Sequence, residues 1–304
     1  MSNTVLAIIE LDKFPEQVAR RAAWIAKLYA SDLELILSDP TLAVLRDSFL
    51  VSTDVKQIAE RVHDAQDRII AELAGSLADD DLKITTSVSH ERPASDAIVS
   101  RALELQPRFV VKGTQYHSPA ERATFSFTDW QLIRKLDRPL WLVKPNAWKD
   151  APVIVAAVDP THRDDETGAL DQVIVDAAKS VADRVGGRLL LLHTYHRLVE
   201  IGAHAMLTFK PVKLPIDELD QKIREDHRRK LDALAAANDI PADSVHQLPG
   251  RTDELLPAFA RTKGADLVVM GALSRNRLKR RMLGSTAEQV LDHLPCDILI
   301  ARGE

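Results

Sequence analysis

Five short apolar runs occupy the first half of the chain, at Val5–Ile9, Leu33–Leu37, Leu82–Val88, Phe109–Lys112 and Leu140–Val143, and they predict strands. Between them, apolar positions recur three and four apart over Phe14–Ala30, Asp54–Leu77, Ala94–Leu105 and Thr128–Leu136, which predicts amphipathic helices. The second half repeats the order. Strands are expected at Val153–Val158, Arg188–His193, Ser244–Leu248, Leu267–Met270 and Ile298–Ile300, and helices at Leu170–Val185, Asp217–Ala237, Glu254–Thr262 and Thr286–Leu294. Apolar strands alternating with helices imply α/β architecture, because right-handed crossovers place helices on both faces of a parallel sheet.

One interval recurs. Phe109-Val110-Val111-Lys112-Gly113 answers Leu267-Val268-Val269-Met270-Gly271, and in both halves a strand begins 27 residues after the glycine, at Leu140 and Ile298. Arg92-Pro93 and Arg251-Thr252 lie at similar distances upstream. A repeat of about 150 residues reads as duplication. We therefore expect two domains, residues 1–145 and 152–304, with Pro145–Pro152 as linker and a five-stranded sheet in each. So short a link keeps the halves close. The last strand of each is an edge, so edge-to-edge pairing between the halves would hide both. Tyr195–Pro215 is the main irregular insertion of the second half, a lid or a plain connection.

Composition narrows the function. A net charge of -5 gives no global attraction to nucleic acid or to an anionic membrane. No apolar run approaches the roughly 20 residues of a bilayer span. The first residues carry no basic leader, and the single cysteine, Cys296, fits a reducing cytoplasm; beside Pro295 it reads as structural rather than nucleophilic. His193 and His196, with His204 in the insertion, leave zinc binding open beside the plainer reading of scattered histidines. The tryptophans show no stacking pattern for nucleic acid, and Trp141, in the last strand of the first half, is expected where the halves meet.

The chemistry concentrates after the fourth strand of the second half. Gly271 at the strand exit permits unusual backbone angles or close ligand approach, and Gly284 does the same before the next helix. Ser285 or Thr286 caps that helix, with Glu288 or Gln289 three residues on, and its N-terminus offers free N–H groups and positive dipole to phosphate. Arg275, Arg277, Lys279, Arg280 and Arg281 lie between the glycines, as a polyphosphate attractor or a solvated loop. The run lacks the glycine-lysine-serine/threonine ending of a Walker loop. Asp159 ends the first strand of this half on the same carboxyl edge, where it either orients a nucleoside or caps a turn.

Asp159, Gly271-x-x-Ser274 and, after nine intervening residues, Gly284-Ser285 closely resemble the pattern of the universal stress protein family, with Ser274 at the usual second glycine. The tandem order, Phe127-Thr128-Asp129-Trp130 and Leu140-Trp141-Leu142-Val143-Lys144 resemble the tandem E type in particular. The resemblance implies strand order 3-2-1-4-5 in each half, the two halves packed as a pseudo-dimer, and an ATP site in the second repeat, with the nucleoside near Asp159 and the phosphates along Gly271, Ser274, Gly284, Ser285 and Thr286. In the first repeat Glu10, Tyr116 and Ser126-Phe127 replace these residues, so no orthodox ATP site is expected there, and aromatic side chains are expected to fill the space.

The functional reading is an adenine-nucleotide-binding regulatory module of the stress response, taking ATP with or without Mg2+ and acting on a regulatory protein partner. A nucleotide-independent scaffold and a weak Mg-dependent ATPase using Asp159 are the alternatives. No secure general base, nucleophile or metal pair stands out, so binding outranks catalysis.

Overall fold

The computed structural model describes residues 3–40, 43, 53–114, 128–161, 165–197, 216–271 and 290–302. In chain order these form β1 (Thr4–Ile9), α1 (Pro15–Leu28), β2 (Asp32–Ser38), α2 (Thr53–Ser76), β3 (Ile84–Ser89), α3 (Ala94–Leu105), β4 (Phe109–Gly113), α4 (Thr128–Lys135) and β5 (Leu140–Val143). The second repeat supplies β6 (Val153–Ala157), α5 (Asp165–Val185), β7 (Arg188–Tyr195), α6 (Ile216–Ala237), β8 (Val245–Pro249), α7 (Thr252–Lys263), β9 (Leu267–Gly271) and β10 (Asp297–Ala301). Residues 290–293 are also helical.

All ten expected strands are present, and they form one sheet rather than two, in the order β3-β2-β1-β4-β5-β10-β9-β6-β7-β8. Each half keeps the 3-2-1-4-5 order with parallel pairing. The halves meet through β5 and β10, which run antiparallel with Leu140 opposite Ile300, Trp141 opposite Leu299 and Leu142 opposite Ile298. Antiparallel pairing of equivalent strands is what a local two-fold between repeats requires, and it leaves neither terminal strand as a free edge.

Successive residues of a strand point to opposite faces, so two cores result. Val5, Ala7 and Ile9 join α1, α2, α5 and α6 on one face, while Leu6 and Ile8 join α3, α4, α7 and the helical residues after 289 on the other. Each core is continuous through both repeats, because residues of β5 and β10 contribute to both.

Differences from the sequence reading occur at boundaries. Helix α5 begins at Asp165, five residues before the apolar periodicity at Leu170, because the sequence of residues 165–169 has no apolar period by which to signal a helix. Leu82, expected in β3, instead bridges Asp79 ahead of the strand, although it is buried. Helix α7 extends to Lys263 and stops at Gly264, whose φ of 60° supplies the left-handed cap.

The linker is pinned rather than slack. Asp266 accepts the backbone N–H groups of Lys149 (3.2 Å) and Val153 (2.9 Å). Buried Asp297 accepts the indole N–H groups of Trp141 and Trp148, each at 3.1 Å, and the Lys144 N–H at 2.9 Å. Arg21 of α1 lies 3.3 Å from the same carboxylate, with its guanidinium over the Trp24 and Trp148 rings. Burial pushes the Asp297 carboxyl above its ordinary range, against Arg21 and the donated hydrogen bonds. Trp24, Trp141 and Trp148 form one cluster, with the Trp24 and Trp148 centroids 4.8 Å apart, so Trp141 does lie where the halves meet. Cys296 is buried with its thiol pushed up to about 12, chiefly by burial and then by Asp297, which suits an inert side chain.

Candidate functional site

Of the six residues assigned to the site from sequence, Asp159 and Gly271 fall within the described structure, whereas Ser274, Gly284, Ser285 and Thr286 lie outside the described residues. Strands β6 and β9 are neighbours, with Ala156 opposite Val269. Asp159 and Gly271 therefore leave the carboxyl edge side by side, the position at which open parallel sheets bind ligands.

Asp159 builds a turn. Its N–H donates to Asp171 of α5 at 3.0 Å, and its Oδ1 accepts from Thr161 Oγ1 at 2.6 Å and from the Thr161 N–H at 3.4 Å. The turn-capping role is thus present, and 28% of the side chain stays exposed. Gly271 has no positive φ, so the unusual-angle reading is corrected. What it provides is space: a Cβ there would lie 2.6 Å from Leu170 Cδ2 of α5. Gly113 does the same in the first repeat, where a Cβ would meet the Lys13 carbonyl oxygen at 2.7 Å. The close approach at both strand ends is made by the protein's own chain, by Lys13 just before α1 and Val18 within it in the first repeat and by Leu170 of α5 in the second.

Beside Asp159 stands a histidine pair that sequence reasoning missed. Buried His193 of β7 has Nδ1 3.1 Å from the Val158 carbonyl and 3.8 Å from Asp159 Oδ1. A carbonyl only accepts, so Nδ1 carries the proton and Nε2 accepts from His227 Nδ1 of α6 at 2.8 Å. Burial pushes the His227 pKa down, opposed by Asp159 and Asp226. His227 lines a cleft of about 350 Å³ with Thr161, Ile223, Lys222 and Lys230. Its signal was in the sequence: Ile223, His227 and Leu231 recur four apart on the inner face of α6, in and just after the mostly charged run Glu218–Lys230. The pairing of His193 with His196 is not what the fold makes, since His196 is exposed beyond the strand and His204 lies outside the described residues. Among the described residues, no group of three or more histidine, cysteine or acidic side chains converges on a metal position.

The first repeat closes the equivalent place with charge. Glu10 sits at the Asp159 position, and Lys112, at the Met270 position, is fully buried with Nζ 2.5 Å from both Glu10 and Asp129. Lys13 lies 2.9 Å from Glu10, and Thr114 Oγ1 donates to Asp129 at 2.7 Å. Burial opposes both charges, but Asp129 and Glu10 hold the Lys112 ammonium above its usual range, and Lys112 with Lys13 holds Asp129 below its own. The expected aromatic filling by Tyr116 and Phe127 falls outside the described residues. The described part of this place is filled by an ammonium between two carboxylates.

Known proteins agree with this frame. The universal stress protein family profile matches residues 1–144 and again 147–302. Universal stress protein E of Escherichia coli is 30% identical over 220 residues, covering 71% of this chain and 66% of that protein, slightly under two thirds of its length. A homolog of that protein in Haemophilus influenzae is 24% identical over 87% of this chain and 84% of its own. The crystal structure of a functionally unknown protein from Pseudomonas aeruginosa covers 99% of this chain and 92% of its own at a TM-score of 0.72 and 21% identity, which shows a shared fold. The duplicated 3-2-1-4-5 sheet and the doubled family match lead to one conclusion: the chain belongs to the universal stress protein family, in its tandem form of the universal stress protein E type.

Proposed function

We propose that the second repeat, residues 152–304, is an adenine-nucleotide-binding module and that the first, residues 1–145, is its nucleotide-free partner. The observation that carries this reading is the emergence of Asp159 and Gly271 from adjacent strands at one carboxyl edge, beside a cleft reached by His227. In this reading Asp159 orients the nucleoside, and Gly271, Ser274, Gly284, Ser285 and Thr286 line the phosphates of ATP, with or without Mg2+. In the first repeat, Glu10 and Asp129 already hold a buried ammonium, so a nucleotide there would have to displace a satisfied ion cluster. Regulation in the stress response, in the cytoplasm and through a protein partner, follows if the bound and free forms differ in the surface they offer.

Calorimetry of nucleotide-stripped protein with Mg-ATP tests the reading, alongside Gly284→Asp, which places a carboxylate at the phosphates. One site per chain in the parent and at least tenfold weaker binding by the variant are expected, a loss of about 1.4 kcal/mol. No binding by the parent would overturn the nucleotide reading in favour of a scaffold. Two equivalent sites would overturn the asymmetry between repeats. Turnover abolished by Asp159→Asn would favour the weak ATPase.

A further inference from the structure

At the carboxyl end of β3, on the edge of the first repeat, two imidazoles from different elements face each other. His63 Nδ1 on α2 lies 3.0 Å from His90 Nε2, one residue beyond β3. Each outer nitrogen faces an oxygen. His90 Nδ1 is 3.0 Å from the Asp39 carbonyl oxygen, which can only accept, so that nitrogen carries the proton and Nε2 presents a lone pair. His63 Nε2 lies 3.5 Å from the Asp67 carboxylate, both side chains about half exposed, and His63 Nδ1 faces the His90 lone pair. Two ring nitrogens at this distance are joined by a positive centre, a proton or a metal ion, that the His90 lone pair accepts. An imidazole whose far nitrogen is tied to a carbonyl or a carboxylate is also the arrangement that orients histidine toward a metal.

We propose that His63 and His90 form a bidentate clip for a divalent transition-metal ion of the copper or nickel kind. With metal–nitrogen bonds of about 2.0–2.1 Å, nitrogens 3.0 Å apart subtend about 95° at the ion. That is the cis angle of a square-planar or tetragonal complex, which copper(II) and nickel(II) prefer, and it is narrower than the tetrahedral angle zinc favours. The ring centroids are 5.3 Å apart with the planes at 67°, so the nitrogens point nearly head-on and the rings must pivot to aim at an ion beside the line joining them. The His63 side chain is 47% exposed, which gives it room to pivot and leaves the remaining coordination positions to water. Two ligands make an open site, consistent with the lack of any three-residue metal group among the described residues. The clip would tie the middle of α2 to the exit of β3, the outermost strand of this half.

Chelator-treated, full-length protein titrated with NiCl2 and with CuCl2 by calorimetry, plus electron paramagnetic resonance of the copper complex, tests the inference. We expect one ion per chain, tighter for copper than for nickel or zinc, with hyperfine structure from two nitrogens. His63→Gln and His90→Gln should each lower affinity at least about tenfold, and His196→Gln, an exposed histidine elsewhere, should not. Both substituted positions are at the surface, and unchanged far-ultraviolet circular dichroism checks that the variants fold. Absence of binding by the parent would overturn the proposal and leave a proton as the bridge. Binding undiminished in both His63→Gln and His90→Gln would overturn it equally.

Discussion

Lys112 shows how one residue decides the fate of a site. A lysine inside Phe109–Gly113 would be intolerable in a buried strand without partners, and Glu10 and Asp129 supply them from a strand end and a helix. Lys112→Met, which copies the second repeat, leaves buried Asp129 without its ammonium and Glu10 with Lys13 alone. We expect it to destabilise the protein by about 3–5 kcal/mol at neutral pH, measured by urea unfolding. The pH dependence has a definite sign. The Asp129 pKa is depressed in the folded state, so its contribution is complete above its unfolded value of about 3.9 and is lost as pH falls through the folded one. In Lys112→Met the buried Asp129 carboxyl loses its main ammonium partner and burial raises it instead, so acidification from neutral should recover part of the lost stability. A variant that weakens steadily on acidification, as the parent does, would contradict the ion-cluster assignment.

At the scale of elements, the glycines closing β4 and β9 are set by how closely α1 and α5 approach the strand ends. Their neighbours differ in kind. A methyl group at position 271 meets the tip of Leu170, a side chain that can swing away, whereas at position 113 it meets the Lys13 carbonyl, which cannot move without the backbone. Gly271→Ala should therefore cost about 1 kcal/mol and Gly113→Ala about 3 kcal/mol, readable as a larger fall in Tm for the latter. Equal costs would mean that the approach of the two helices is not what requires glycine. The same comparison explains why the sequence left the role of Gly271 open: strand-end glycine signals that something comes close, and the identity of the neighbour is a tertiary fact.

The whole molecule is held by the strand pair at its centre and by the side chains gathered on Asp297. Because both cores run through β5 and β10, the repeats should unfold together, with tryptophan fluorescence and far-ultraviolet circular dichroism tracing one urea transition. Trp24, Trp141 and Trp148 all sit at the junction, so fluorescence reports on it directly. Asp297→Ala removes the acceptor shared by both indoles and the Lys144 N–H and strands Arg21. We expect a loss of about 3–5 kcal/mol, with the fluorescence transition moving ahead of the dichroism transition. Coincident transitions in that variant would show that the junction is carried by the strand pair alone.

Much of this was legible in the chain because strands and helices are dictated locally. Short continuous apolar runs located every strand, and apolar positions three and four apart located the described helices to within about five residues, while the repeated Gly113 and Gly271 intervals exposed the duplication. Pairing of the two edges followed from the cost of leaving backbone groups unpaired. The sequence by itself therefore determined the elements, their duplication and the edge at which Asp159 and Gly271 emerge. Only the tertiary structure decided which side chains meet there. His227 reaching His193, Lys112 lodging between Glu10 and Asp129, and His63 facing His90 join residues 34, 102, 17 and 27 positions apart, and no local periodicity carries that information. The physical reason is that secondary structure answers to neighbours along the chain, while a buried charge or imidazole answers to whichever partner the packed elements bring within hydrogen-bonding distance.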